Sequence, residues 1–244
     1  MRRTHVEPGA LDGLGPGSVL SLSKDASHHL QRVLRLPVGA PVELFDGAGT
    51  VAQGRLLDGA PARVELLEVR AAVRELPPLV VAQALVRGPK LEEVVRRSTE
   101  LGASAVWLFE ARRSVVDAER MRADRLLRIA REAARQCERV DLPELVGPLS
   151  FERLLEEVRG FTGVAAMGVV GAEQPLSRVL ANDERAGAGG ALVVVGPEGG
   201  LDPDEVRQLA EAGALPARLG PHVLRTETAG LVGLAGALAA LGRL

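Results

Sequence analysis

Cysteines and long apolar runs are scarce in this 244-residue sequence, and each shortage excludes a class of protein. The lone cysteine, Cys137, rules out a disulfide framework and a cysteine-rich zinc site. No apolar run reaches the roughly 18 residues that a membrane-spanning helix needs. The first residues also lack the apolar core of a signal peptide. We therefore expect a cytoplasmic protein with no membrane partner and no metal.

Aromatic and basic residues are limited in a way that bears on nucleic-acid binding. Tyrosine is absent, and the chain has one tryptophan and four phenylalanines, so shape and phosphate contacts should outweigh base stacking in any RNA contact. The net charge of −2 excludes a uniformly basic surface but allows a local basic patch. Arginine supplies 28 of the 30 basic residues, the two lysines being Lys24 and Lys90. With 46% hydrophobic and 25% charged residues, the chain has the composition of an ordinary globular protein.

The hydropathy pattern divides the chain into two domains, residues 1–74 and 75–244. The first shows short strands between turn signals and one helix, a pattern typical of a small barrel or twisted sheet. Its predicted strands are 18–22, 41–45, 50–57 and 62–69, and its helix is 25–34. A proline-containing segment, 74–78, is the predicted linker.

Beyond the linker, strands alternate with helices, which predicts an α/β domain with a mostly parallel sheet. The predicted strands are 79–85, 105–109, 163–170 and 192–195. The predicted helices are 90–101, 123–137, 151–158, 203–212 and 226–241. An Ala/Gly-rich stretch at 186–190 is expected to be a loop.

The segment 196–200, Gly-Pro-Glu-Gly-Gly, follows a buried strand and precedes a well-marked helix. Asp202 can cap that helix, and Glu205 completes the spacing of a capping box. Ligands of open α/β sheets bind at the carboxyl ends of strands, where this loop lies. The motif is neither a phosphate loop nor a dinucleotide fingerprint. The alternative is a tight turn that binds no ligand, but such a turn gives the carboxylate of Glu198 little structural role.

A second segment, 218–230, delivers Arg225 to the start of the last helix, where Thr226 can act as the cap. Residues 229–242 of that helix carry no charge. A helix that is apolar on all sides must be buried on several of them. A subunit interface and the core of a single domain are both consistent with this pattern.

Together these two segments resemble the C-terminal signature of the SPOUT class of methyltransferases. In particular they resemble the bacterial 16S ribosomal RNA uridine-N3 methyltransferase family. Residues 28–36 and 44–49 resemble that family's N-terminal, PUA-like RNA-binding domain, and Lys90 with residues 99–102 resembles its central segment. The resemblance covers essentially the whole chain. The family usually has Arg where this chain has His222, and commonly has Lys where this chain has Arg87.

The resemblance implies an α/β fold made of a small PUA-like β-barrel at 1–74 and a SPOUT domain at 75–244. The SPOUT domain would contain a trefoil knot, form a homodimer and bind S-adenosyl-L-methionine. The substrate would be 16S ribosomal RNA or the small ribosomal subunit. The implied cofactor-binding residues are Gly196, Glu198, Gly199, Gly200, Leu219, Gly220, Val223, Leu224, Thr228 and Ala229.

Two residues are candidates for the chemistry. Glu198 would act as a base or hydrogen-bond acceptor at uridine N3, and Arg225 would stabilise the developing uracil anion. A simple ion pair between Glu198 and Arg225 is the alternative. The candidate RNA-binding residues are His28, Arg32, Arg35, Arg113 and Arg139. A methyltransferase of another RNA position, and a non-catalytic ribosome-assembly protein, are the competing functions.

Overall fold

The computed structural model describes residues 2–72, 76–115 and 121–244. The chain forms two compact units, the first made of Met1–Glu75 and Arg131–Leu142, the second of Leu76–Ala130 and Pro143–Leu244. The predicted boundary after residue 74 and the start of the predicted linker 74–78 lie outside the described residues. The sequence predicted two continuous domains, whereas the first unit of the structure also contains the later segment Arg131–Leu142.

The first unit is built on a five-stranded mixed sheet, a half-barrel with strand order β1-β3-β4-β5-β2. Its elements are β1 Arg2–His5, β2 Val19–Ser21, α1 Lys24–His28, a π-helical turn His29–Val33, β3 Pro41–Phe45, β4 Thr50–Leu57 and β5 Arg63–Ala71. β1 and β3 are parallel, and the other ladders are antiparallel. The four predicted strands and the helix are confirmed, whereas β1 was not predicted.

A bulge bends β4 where the register shifts between Gln53 and Gly54. A Cβ atom at Gly54 would lie 2.4 Å from the Glu65 carbonyl oxygen, so only glycine allows this approach of β4 to β5. Buried leucines fill the space beneath the sheet, among them Leu30, Leu44 and Leu66. Leu30 belongs to the π-helical turn and packs that turn against the sheet.

The second unit contains a six-stranded sheet, strand order β11-β9-β10-β6-β7-β8, in which every ladder is parallel. Its strands are β6 Leu79–Ala84, β7 Ala105–Phe109, β8 Glu144–Leu149, β9 Val164–Gly168, β10 Ala191–Val195 and β11 Leu215–Ala217. Its helices are α2 Gly88–Glu100, α3 Ala123–Gln136, α4 Phe151–Gly160, α5 Leu176–Ala181, α6 Arg185–Gly189, α7 Pro203–Glu211 and α8 Thr226–Ala240, with the end of α3 counted in the first unit. The prediction of a mostly parallel α/β sheet is confirmed.

Four elements of this unit depart from the predictions. β8, β11 and α5 were not predicted, and the expected loop at 186–190 is wrong, because α6 occupies Arg185–Gly189. Alanine in that stretch favours the helix, and the buried Ala186 fixes it against the sheet. Tertiary packing therefore decides the conformation of a segment that the glycines alone left ambiguous.

Helices cover both faces of the parallel sheet. Alternate residues of β6 show this, since Val81 belongs to a buried cluster that includes residues of α2, α3, α5 and α8, whereas Val80 belongs to one that includes residues of α4 and α7. α8 lies close to the sheet, where a Cβ at Gly233 would be 2.7 Å from Val193 Cγ1. Among the described residues, no helix is long and apolar enough to cross a membrane. The trefoil knot implied by the resemblance stays a prediction.

Candidate functional site

A cavity of about 470 Å³ opens at the carboxyl ends of β9, β10 and β11. Three loops and the first turn of α8 form its walls, as expected for an open α/β sheet. Its volume is in the range of small-molecule sites, roughly 300–1,000 Å³. The lining residues are Gly168–Gly171, Val195–Leu201, Arg218–Leu224, Thr226 and Ala229.

The loop after β10 is tightly folded. A Cβ at Gly196 would lie 2.8 Å from the backbone nitrogen of Leu201, and Gly200 has a φ of +71°. The Gly200 N–H donates to the Pro197 carbonyl at 2.9 Å. Asp202 then caps α7 in a capping box with Glu205, so the predicted helix start is confirmed. The loop is thus shaped by its glycines before any ligand enters.

Two arginines after β7 brace the outer side of this loop. Arg113 donates to the Gly199 carbonyl at 3.0 Å and pairs with Asp202 at 3.2 Å. The buried Glu205 carboxylate accepts the Arg112 backbone N–H at 2.7 Å. Arg113, predicted as an RNA contact, is therefore engaged with the cavity loop, and a role in RNA binding stays a prediction.

Glu198 extends from the loop toward α2, where its Oε1 accepts a hydrogen bond from Lys90 Nζ at 2.7 Å. This hydrogen bond is the main reason that the pKa of Glu198 is lowered, with the charges of Lys90 and Arg87 adding to it, while partial burial opposes the shift. Within the described part of the chain, no ion pair joins Glu198 to Arg225. The alternative of a mutual salt bridge is therefore wrong, since Lys90 takes that place.

Arg225 stands between the cavity-lining residues Leu224 and Thr226 and occupies the N-cap position of α8. The prediction that Thr226 caps this helix is therefore wrong, since Thr226 is its first residue. Its backbone carbonyl accepts the first intrahelical bond, from the Ala229 N–H at 2.8 Å. Arg225 is exposed, and among the described residues no ion pair or hydrogen bond of its guanidinium group is recorded. The group is consequently available to an anionic ligand.

The structure brings most of the predicted cofactor residues together. Nine of the ten line the cavity, whereas Thr228 is not among the described residues that do so. Thr228 does not line the cavity because Thr226 and Ala229, three residues apart, form the face of α8 that does. The prediction also missed the third wall, Gly168–Gly171, for which the two glycines within and just after the predicted strand 163–170 were the available signal.

The predicted RNA-binding residues of the first unit differ in how they are displayed. Three of them are exposed: His28 at the end of α1, Arg32 in the π-helical turn and Arg35 just after it. Arg139 instead pairs with Asp141 at 2.8 Å, and its side chain is only 9% exposed. The guanidinium group of Arg139 is thus held by a carboxylate of the same unit, and its role in RNA binding stays a prediction.

The lining residues match the chemistry of S-adenosylmethionine. Glycine backbone groups at 196–200 can approach and hydrogen-bond a purine, and Leu219 and Leu224 offer apolar faces to it. The carboxylate of Glu198 can face a cationic centre. Among the described residues, no group of three or more side chains has the make-up of a metal site.

Comparison with known proteins gives matches along most of the chain. The family model of an RNA methyltransferase domain matches residues 74–238, and that of an RNA methyltransferase PUA domain matches residues 22–67. The chain is similar to ribosomal RNA small subunit methyltransferase E of Mycobacterium bovis, with 37% identity over 89% of this chain and 85% of the relative. It is 34% identical to the protein of the same name from Bacillus subtilis, over 88% of this chain and 87% of the relative.

Two solved structures extend this similarity to the fold. Ribosomal RNA small subunit methyltransferase E from Neisseria gonorrhoeae, bound to S-adenosyl methionine, superposes with a TM-score of 0.84 at 26% identity, covering 98% of this chain and 97% of that one. A Legionella pneumophila protein described as a methyltransferase, in complex with bound SAM, superposes with a TM-score of 0.85 at 29% identity over the same shares.

Proposed function

The chain belongs to the ribosomal RNA small subunit methyltransferase E family, and from this premise we propose that it methylates N3 of a uridine in 16S ribosomal RNA. Membership in this family implies S-adenosylmethionine-dependent methylation of small-subunit ribosomal RNA. The choice of a uridine, and of its N3 atom, as the methylated position is our proposal. The observation that carries it is the cavity at the carboxyl ends of β9, β10 and β11, with its glycine backbone and its single carboxylate.

The cavity residues hold the cofactor in this proposal, and S-adenosylmethionine supplies an electrophilic methyl group when it is bound. The backbone of Gly196, Gly199 and Gly200 forms one wall, and Leu219, Gly220, Val223 and Leu224 form another, with Ala229 at the helix end. Thr228 is left out of this set. Because the loops already have their folded shape, little ordering entropy opposes binding.

Glu198 orients the substrate rather than removing its proton. Uridine N3 carries a proton at neutral pH and lies on the Watson–Crick edge, so the base must be unpaired to reach the cavity. The hydrogen bond from Lys90 lowers the pKa of Glu198 and makes its carboxylate a weak base. The carboxylate can still accept the N3–H hydrogen bond, and we assign it that role, with the proton passing on to solvent.

Arg225 stabilises the negative charge that develops on the uracil carbonyl oxygens as N3 loses its proton. The guanidinium group is exposed beside the cavity, and no partner among the described residues competes for it. A preorganised donor of this kind lowers the barrier because it meets charge present mainly in the transition state.

The first unit supplies the RNA-binding surface. His28, Arg32 and Arg35 are exposed within the segment 22–67 that matches the PUA domain model. Arginines in such a patch contact phosphates, which gives affinity and a strong dependence on salt.

We also propose that the protein is a homodimer built in part on α8. Gly230, Gly233 and Leu234 are buried against the protein's own sheet, whereas Leu231 and Val232 on the other side stay only partly buried. No charge occurs between residues 229 and 242, so a second copy can cover this face. Light scattering at micromolar concentration should give twice the mass of the chain, and a monomer would contradict the proposal.

The direct test is a methylation assay with purified protein, small ribosomal subunits and S-adenosylmethionine labelled in the methyl group. Nucleoside digestion of the RNA should place the label in 3-methyluridine. Label in another nucleoside would identify an enzyme for a different position. Cofactor binding by calorimetry without any RNA labelling would favour a different substrate, and no binding would favour a non-catalytic assembly protein.

A further inference from the structure

A buried polar side chain lies on β6, an interior strand of the parallel sheet. Gln83 is on β6, is fully buried, and lies in register with Val195 at the end of β10. A buried amide costs free energy unless it is hydrogen-bonded, so its partners indicate its purpose. Gln83 Nε2 donates to Thr226 Oγ1 at 2.8 Å and to the Ala84 carbonyl at 3.2 Å.

Thr226 passes this connection on to the cavity loop. Its hydroxyl donates to the Gly196 carbonyl oxygen at 2.7 Å, and the side chain is almost completely buried. The hydroxyl has one proton, and a carbonyl can only accept, so that proton must point to Gly196. The hydroxyl lone pair then accepts from the Gln83 amide nitrogen, which fixes the orientation of the whole chain of hydrogen bonds.

The packing around Gln83 leaves it room for this one arrangement. A Cβ at Gly230, one turn along α8 from Thr226, would lie 3.2 Å from Gln83 Oε1. The absence of a side chain at Gly230 lets α8 approach β6 closely enough for Thr226 to reach both partners. Gln83 Oε1 is itself buried and without a partner in the described residues, so the amide is retained at a cost in stability.

The hydrogen bonds from Gln83 through Thr226 to Gly196 are more deeply buried than the other side-chain contacts of the cavity loop. Arg113, which holds the Gly199 carbonyl, has a side chain that is 45% exposed, and Lys90, which holds Glu198, is 34% exposed. Exposed contacts of this kind are weakened by solvent and salt. The hydrogen bond from Thr226 to Gly196 instead comes from a side chain that is almost completely buried, and it joins two residues that both line the cavity.

We propose that Gln83 and Thr226 are positioning residues that fix the first residue of the cavity loop against the start of α8 and so preform the cofactor site. The proposal rests on the proposed function in taking the ligand to be S-adenosylmethionine. Gln83 acts through Thr226, and Thr226 acts through the Gly196 backbone. Loss of either should therefore weaken cofactor binding, with a smaller effect on the rate at saturating cofactor.

The test measures the Kd of S-adenosylmethionine by calorimetry, together with KM, kcat and Tm. Thr226→Val keeps the side-chain shape but removes the hydroxyl, and we expect the Kd to rise about tenfold or more, as for a lost buried hydrogen bond. Thr226→Ser keeps the hydroxyl and should restore the parental Kd. Gln83→Leu should raise the Kd as well, and adding it to Thr226→Val should raise the Kd little further.

Thr99→Val is the matched control. Thr99 is a fully buried threonine of the same unit, and its hydroxyl donates to the Val95 carbonyl inside α2 at 2.8 Å. It should lower Tm but leave the Kd unchanged. A parental Kd in folded Thr226→Val and Gln83→Leu proteins overturns the inference, as do fully additive effects of the two changes. Failure of the parental protein to bind S-adenosylmethionine refutes the proposed function instead.

Discussion

Two glycines of the cavity wall allow ligand binding to be separated from folding. A Cβ at Gly220 would have Leu224 Cδ1 as its nearest protein atom, at 3.6 Å, and a Cβ at Gly199 would meet Arg113 at 3.5 Å. Both distances are ordinary van der Waals contacts, and neither residue has a positive φ. Gly220→Ala and Gly199→Ala should therefore fold normally, with stability unchanged or raised by up to about 1 kcal/mol.

The added methyl group in each variant takes space that the cofactor needs. Overfilling a well-packed site costs about 1–3 kcal/mol, which corresponds to a rise in Kd of about fivefold to 150-fold. Calorimetry with S-adenosylmethionine measures that change, and thermal unfolding of the same samples measures Tm. The expected combination is an unchanged or slightly raised Tm with weakened binding.

Two further glycine variants serve as comparisons, one expected to change nothing and one expected to lower both stability and affinity. Gly187→Ala in α6 is the control, because a Cβ there has no heavy atom within 4 Å and the residue does not line the cavity. Gly196→Ala should lower both Tm and affinity, since its Cβ would be 2.8 Å from the Leu201 backbone nitrogen. If Gly199→Ala and Gly220→Ala both bind the cofactor with parental affinity, these two walls do not contact it and the reasoning is refuted.

Three other predictions concern RNA binding, methyl transfer and the pH dependence of stability. Arg32→Ala with Arg35→Ala should weaken RNA binding and reduce its salt dependence while cofactor affinity stays unchanged; a filter-binding titration at several salt concentrations checks this. Arg225→Ala should bind RNA normally but slow methyl transfer by about 10²–10³ in single-turnover assays with saturating RNA, and a parental rate there would contradict its role. Burial, with the charge of Arg131 adding to it, lowers the pKa of His5 from 6.5 to about 4, so the unfolded chain binds a proton that the folded protein excludes. The free energy of unfolding should thus fall between pH 6.5 and 4, by up to about 3 kcal/mol, and urea titrations of His5→Leu should show a flatter dependence over that range.

Local signals explain why much of the second unit could be predicted from the sequence. The strand, the Gly-Pro-Glu-Gly-Gly loop and the capped α7 follow one another within a few residues, so capping rules and hydropathy are sufficient to place them. The short strands β1 and β11 were missed because three or four residues carry too little periodicity. Their conformation depends on neighbouring strands that are distant in sequence.

The contacts that shape the site were not accessible to sequence reasoning. Lys90 and Glu198 are 108 residues apart, and Gln83 and Thr226 are 143 apart. Only the parallel order of β6, β10 and β9 brings their elements to one edge. The ion pair between Arg139 and Asp141, only two residues apart, was likewise not predicted, although Arg139 was a candidate for RNA binding.

Mapping of methylated nucleosides in ribosomal RNA tests the central claim most directly. Small-subunit RNA is purified from cells with and without the protein, and from cells that carry the Arg225→Ala variant, and is then digested and analysed by mass spectrometry. Our account predicts that one 3-methyluridine is present with the parental protein, lost without it and strongly reduced with the variant. An unchanged 3-methyluridine content in cells that lack the protein would contradict the account.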